Sequence, residues 1–165
     1  MGGEQLYSFG QRCLSVINHN SSFDNSGIWG AVLRPPQLAD TASEVIFANR
    51  ATSTFWFLGK VVLIVRGWGA NQPAMEFLLN RKVVGWVNIF PEARDNADGS
   101  FIRYKCSWVG LFGDSATTPL ILLVVHLGMD RMLPNPSEGE SQTAIYRPGK
   151  LITINIGSPV DMGEM

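Results

Sequence analysis

Val61-Val62-Leu63-Ile64-Val65 is an uninterrupted and mostly β-branched run, the pattern of a strand covered on both faces. It belongs to one of three long apolar stretches: Phe55 to Val65, which Lys60 divides, Val83 to Phe90, and Leu120 to Leu127. None reaches the ~20 residues a membrane-spanning helix requires, so all three are expected to be buried strands. Between the first two, Pro73 to Asn80 suits a short helix, with proline in its first turn and Met75, Leu78 and Leu79 on one face. A strand-helix-strand unit of this kind normally makes parallel neighbours in one sheet. The expected fold class is α/β: a single domain over residues 1–165, with a mixed, mostly parallel sheet flanked by helices.

Further elements follow from local patterns. Leu14-Ser15-Val16-Ile17 reads as an earlier buried strand, and Ser26 to Leu33 as the helix after it, stopped by Pro35-Pro36. Phe101 to Phe112 suits a second amphipathic helix, and Leu151 to Ile156 alternates like a strand with one wetter face. Pro35 to Ser43, Asp95 to Ser100 and Pro134 to Gly149 carry turn and loop residues. No internal repeat is present.

Charged residues make up 16% of the chain and hydrophobic ones 45%. Against an ordinary charged fraction of about 25%, this points to a surface that meets something apolar. The formal net charge of −1 disfavours a nucleic-acid partner. Cys13 and Cys106 form neither a disulfide framework nor a metal-finger spacing and are expected to be reduced, buried thiols. The first residues show neither a myristoylation signal nor a signal-peptide layout. Asn20-Ser21-Ser22 fits a glycosylation sequon, but a glycan there would block His19.

The chemistry-bearing residues cluster after the apolar runs. His19, with Asp24 five positions on, follows the first; Arg66-Gly67 follows the second; Phe90-Pro91-Glu92 closes the third. In open α/β sheets ligands sit beyond the carboxyl ends of the strands, so these clusters are expected to converge on one crevice. A histidine beside a carboxylate is a base with its orienting group. His126, inside an apolar run, reads as a structural residue of the core or sheet end. No His-x-x-x-His or Cys-x-x-Cys spacing supports a metal site.

The order and content of these motifs resemble the tafazzin family of phospholipid-lysophospholipid transacylases, within the glycerolipid acyltransferase superfamily that shares the His-x4-Asp motif. The similarity runs from about Ile17 to Val160 and includes Phe57-Leu58-Gly59-Lys60, Phe101 to Lys105, His126 to Met129, Leu133-Pro134-Asn135 and Ile154 to Pro159. The resemblance implies acyl transfer between phospholipids and lysophospholipids, including cardiolipin remodelling, at a mitochondrial membrane surface and without a bound cofactor. His19 would take the proton from the lysophospholipid hydroxyl and Asp24 would orient the imidazole. Arg66 would hold the lipid phosphate, Gly67 would let the backbone pass the headgroup, and Glu92 in its Phe90-Pro91 turn would accept from glycerol hydroxyls or support Arg66. Arg94, Arg103 and Lys105 lie near enough in sequence to add to an anionic headgroup site.

Other readings stay open. Arg66 could pair with a surface carboxylate and Glu92 could be a turn residue. The motif glycine after Glu92 is Ala93, Leu123 stands where the family usually has proline, Asn25-Ser26 replaces Asp-Pro, and Cys106 to Val109 replaces a stretch with smaller residues. With no apolar amino-terminal anchor, the chain reads as a trimmed or diverged core. A lipid-binding or scaffold relative with impaired catalysis, and an acyl-ester hydrolase, are therefore the alternatives; a serine hydrolase is disfavoured because no Gly-x-Ser-x-Gly elbow occurs. Membrane association is expected to be interfacial, with Trp68 nearest lipid and most other tryptophans in the core. The oligomeric state is unspecified by the sequence.

Overall fold

The computed structural model describes residues 13–21, 24, 38–43, 47, 50–58, 61–65, 67–69, 71–79, 85–94, 96, 100, 102–104, 119–134 and 145–161. The strands are β1 (Cys13–Ile17), β2 (Leu38–Ser43), β3 (Val61–Ile64), β4 (Trp86–Ile89), β5 (Leu120–Leu127), β6 (Thr153–Ile156) and β7 (Val160–Asp161). Among the described residues the helices described over their whole length are α1 (Arg50–Leu58), α2 (Pro73–Leu79) and α3 (Met129–Met132). The seven strands form one sheet in the order β3-β2-β4-β1-β5-β6, with β7 also on β5. β3, β2, β4, β1 and β5 pair in parallel, whereas β6 and β7 run antiparallel to β5. This is the mixed, mostly parallel α/β sheet expected.

The two faces carry separate cores. On one, Cys13, Ile17, Trp86, Phe90, Leu122 and Val124 pack with Met129 and Met132 of α3. On the other, Leu14 and Ile89 pack with Met75 and Leu78 of α2, two of the three residues of its expected apolar stripe. Each of those two α2 side chains, at 2% and 1% exposure, stabilises the helix on the sheet by ~2 kcal/mol. The opposite side of α2 exposes Phe77.

Four expectations are corrected. The stretch Pro35 to Ser43 is not all loop, because Leu38–Ser43 is β2, an inner strand pairing with β3 on one side and β4 on the other. Its composition, Leu-Ala-Asp-Thr-Ala-Ser, has little strand propensity, and pairing on both sides overrides it. As a result β3 and β4 are parallel but not neighbours. Phe55 to Leu58 belongs to α1, not to a strand, and the run becomes extended only after Lys60. β3 is also an edge strand covered incompletely, with Leu63 39% exposed.

The helix expected over Ser26 to Leu33 lies outside the described residues. Of the one expected over Phe101 to Phe112, residues 102–104 are described and are not helical. Trp86 is buried and Trp68 exposed, as expected; Trp29 and Trp108 lie outside the described residues.

Two tests probe this architecture. Burial pushes the Cys13 thiol up to about 12, so alkylation at Cys13, followed by peptide mass spectrometry, is expected only under unfolding conditions. Gly128, between β5 and α3, has φ +95°, and an added Cβ would collide with the Leu151 carbonyl oxygen. Gly128→Ala should lower unfolding stability by about 2 kcal/mol or more in a denaturant titration.

Candidate functional site

The carboxyl ends of β1, β4 and β5 meet at one edge of the sheet. β1 ends at Ile17, opposite Val124 of β5, so β5 continues past it and brings His126 alongside Asn18. The Asn18 side chain extends the ladder: its amide donates to the His126 carbonyl at 3.0 Å, and its carbonyl accepts from the His126 N–H at 2.9 Å. The next residue is His19.

From His19 the chain wraps around the Asp24 carboxylate. Oδ2 of Asp24 accepts from the backbone N–H groups of Asn20 at 2.6 Å and Ser21 at 2.8 Å, and lies 3.0 Å from Nδ1 of His19. Asp24 donates its own N–H to the Ser21 carbonyl, and the Ser21 hydroxyl donates to the Leu133 carbonyl beyond α3. The second of these bonds ties the loop to the end of α3. Asp24 is fully buried. Burial alone would raise its pKa, but hydrogen bonds from His126 and His19, the charge of His126 and the Ser21 N–H outweigh it and hold the carboxyl below its usual value.

Because a carboxylate only accepts, the His19 Nδ1 facing it carries the hydrogen. Nε2 is then the ring nitrogen that can take a proton from a substrate. The imidazole stacks on the Phe90 ring at 4.3 Å between centroids and 25° between planes, and its side chain is 19% exposed. Stacking and the Asp24 contact together fix the orientation of the ring.

Phe90, Pro91, Glu92 and Ala93 form a turn closed by the Ala93 N–H to the Phe90 carbonyl at 3.0 Å. Pro91 and Glu92 are buried. Oε1 of Glu92 accepts from the His19 backbone N–H at 3.4 Å, and the Asn96 N–H donates to the His19 carbonyl at 2.6 Å. The turn of β4 thus holds the His19 backbone on both sides. Ala93 adopts φ 55°, the left-handed conformation in which the expected glycine would be unstrained.

His19, Asp24, Phe90, Pro91 and Glu92 therefore come together. Gly67 stands at the same end of the sheet but after β3, three strands away from β1 in the sheet order, with β2 and β4 between them. At ~4.8 Å between strands that is a lateral offset of about 14 Å. Arg66 lies outside the described residues. Gly67 is exposed at φ +89° in a turn that Gln72 braces, by accepting from the Val65 N–H and donating to the Gly69 carbonyl. Trp68, 62% exposed, projects from this turn. Among the described residues no cluster of three or more His, Cys, Asp or Glu side chains could hold a metal, and no helix is long and apolar enough to cross a membrane.

One member of the cluster was not expected from the sequence. His126 is fully buried, with Nε2 3.4 Å from Oδ2 of Asp24 and 2.8 Å from the Asn18 carbonyl oxygen. Its signal was a single polar side chain on the buried face of β5, in step with Leu122 and Val124.

Known proteins share sequence and fold with this chain. The chain is 31% identical to the tafazzin of Drosophila melanogaster over 159 residues, covering 92% of this chain and 41% of that protein. It is 30% identical to the N-acylphosphatidylethanolamine synthase of Arabidopsis thaliana over 157 residues, covering 90% of this chain and 55% of that one. The crystal structure of the 1-acyl-sn-glycerophosphate acyltransferase PlsC from Thermotoga maritima superposes with a TM-score of 0.70 over 98% of this chain and 60% of that chain, at 20% identity. The chain is tafazzin-like, with a glycerolipid-acyltransferase fold. It spans about half the length of the curated relatives it matches. No protein-family model matches it.

The depressed Asp24 pKa gives a signed expectation. The unfolded carboxyl titrates near ~3.9, so ionised Asp24 stabilises the fold above that pH, and this contribution is lost as pH falls through the lower folded value. Asp24→Asn should lower stability at neutral pH by about 3 kcal/mol. It should also flatten the decline of stability below about pH 4, measured by denaturant titration followed by circular dichroism.

Proposed function

We propose that this chain is an acyltransferase that moves fatty acyl groups between phospholipids and lysophospholipids at a membrane surface. The observation that carries the reading is the His19–Asp24 pair, 3.0 Å apart at the carboxyl end of the central strand β1. The acceptor hydroxyl is a poor nucleophile until its proton is removed. His19 Nε2 takes that proton as the oxygen attacks the acyl carbonyl, and Asp24 stabilises the resulting imidazolium. Collapse of the tetrahedral intermediate breaks the bond to the donor's oxygen, which receives the proton back from His19. The acyl group ends on the acceptor, the donor leaves as a lysophospholipid, and the imidazole is restored.

Glu92 supports the base by holding the His19 backbone from its buried turn. Phe90 fixes the ring plane, and Pro91 stiffens the turn. Arg66 binds the lipid phosphate through its planar fork of donors, with Gly67 giving the backbone room to turn there. The exposed Trp68 beside them suits the headgroup boundary, where an indole buries its ring and keeps its N–H wet. The similarity to tafazzin supports cardiolipin remodelling and a peripheral position on a mitochondrial membrane; the N-acylphosphatidylethanolamine synthase supports acylation of a phospholipid as the shared chemistry.

The test is transfer of a labelled acyl chain from phosphatidylcholine to a lysophospholipid in vesicles without coenzyme A. His19→Ala should reduce the rate by about 10²–10⁴-fold while vesicle binding persists. Arg66→Ala should mainly raise the KM for phospholipid. A folded, vesicle-bound unmodified chain with no transfer would instead favour the lipid-binding alternative, and release of free fatty acid would favour the hydrolase.

A further inference from the structure

His126 is the other of the chain's two histidines, and the reaction above makes no use of it. It is fully buried, and Asn18 holds its backbone on both sides. Nε2 faces two acceptors, the Asn18 carbonyl at 2.8 Å and Oδ2 of Asp24 at 3.4 Å. Nε2 therefore carries hydrogen and shares it between them. Nδ1 has no hydrogen-bond partner among the described residues. An unsatisfied buried nitrogen costs roughly 1–3 kcal/mol, so packing alone would be better served by an apolar side chain such as leucine or methionine, both of which occur in this core. What an imidazole offers here and an apolar side chain does not is a donor aimed at Asp24.

We propose that His126 is a positioning residue that acts on His19 through Asp24, the single carboxylate oxygen being shared by the two imidazoles. A carboxylate that receives a further donor pulls less strongly on each of the others. His126 thus limits how far Asp24 raises the proton affinity of His19 and keeps more of the base in its neutral, proton-accepting form. Its importance for catalysis rests on the acyl-transfer reading; the coupling between the two rings does not. Among the described residues, the other titratable or charged groups on the elements packed here are Glu92, bonded to the His19 N–H, and Asp130 and Arg131 on α3. They are unchanged in the variants below.

With two imidazoles in the chain, nuclear magnetic resonance of histidine-labelled protein resolves the question without an assay of activity. In the unmodified chain His126 should show hydrogen on Nε2. In His126→Leu the titration midpoint of His19 should rise by about half a pH unit or more. Glutamine, whose amide nitrogen reaches the place of Nε2, should restore it, and asparagine, whose shorter amide mimics Nδ1, should not. If the leucine variant does not fold, the tautomer and the glutamine–asparagine pair decide.

A His126 carrying hydrogen on Nδ1 alone, or a His19 midpoint that is the same in all folded variants, overturns the proposal. In the transfer assay the acid limb of the kcat/KM profile should move with the His19 midpoint. A folded unmodified chain that shows the coupling and no transfer would sink the acyl-transfer reading and leave the coupling supported.

Discussion

A carboxylate with no exposure to solvent is costly unless the protein supplies the donors that water would have given. At Asp24 they converge on one oxygen: two backbone N–H groups and two imidazoles. The other oxygen, Oδ1, has no partner among the described residues. The turn from Asn18 to Asp24 is therefore built around a negative charge, and its backbone geometry and charge state are not independent. Folding this turn and orienting His19 are coupled, because the N–H groups of Asn20 and Ser21 and Nδ1 of His19 share the one acceptor Oδ2.

The sheet makes that turn possible. β1 lies between β4 and β5, so both of its edges are paired and its end is fixed laterally. β5 outruns β1, and the extra length delivers His126; the turn after β4 delivers Phe90 and Glu92 from the other side. Deeper in the same face, Ser15 donates to the Asn88 side chain at 2.9 Å and accepts from the Trp86 indole at 3.0 Å. This polar link joins β1 to β4 and resists a slip in register, since a one-residue shift of β1 would turn Ser15 to the face opposite Trp86 and Asn88.

What the sequence revealed divides along physical lines. β1, α2, β4, β5 and β6 were legible because their apolar periodicity is local, and His19, Asp24 and Glu92 were legible as polar residues just past such runs. β2 was not: Leu38–Ser43 is extended only because strands flank it, information that lies in distant segments. α1 was hidden because aromatic residues suit either state, and its Phe55 to Leu58 abut the strand-forming run. His126 was visible as an odd residue in β5, but its meaning depended on the offset between β1 and β5, which no local pattern encodes.

The departures from the family pattern that gave most weight to impaired catalysis were Ala93 and Leu123. Leu123 is 52% exposed on β5, and alternation places it on the opposite face from His126. Whatever a proline would change there, it does not touch Asp24. Ala93 does adopt the positive φ that glycine would favour, yet its turn hydrogen bond to Phe90 is formed and Glu92 still reaches the His19 N–H. The strain of a non-glycine residue at such a φ is ~1 kcal/mol. That strain falls on global stability, in a turn whose hydrogen bonds to Phe90 and His19 are formed. Both substitutions are thus compatible with an intact His19–Asp24 arrangement, and the physical case for a degraded site loses its two principal supports.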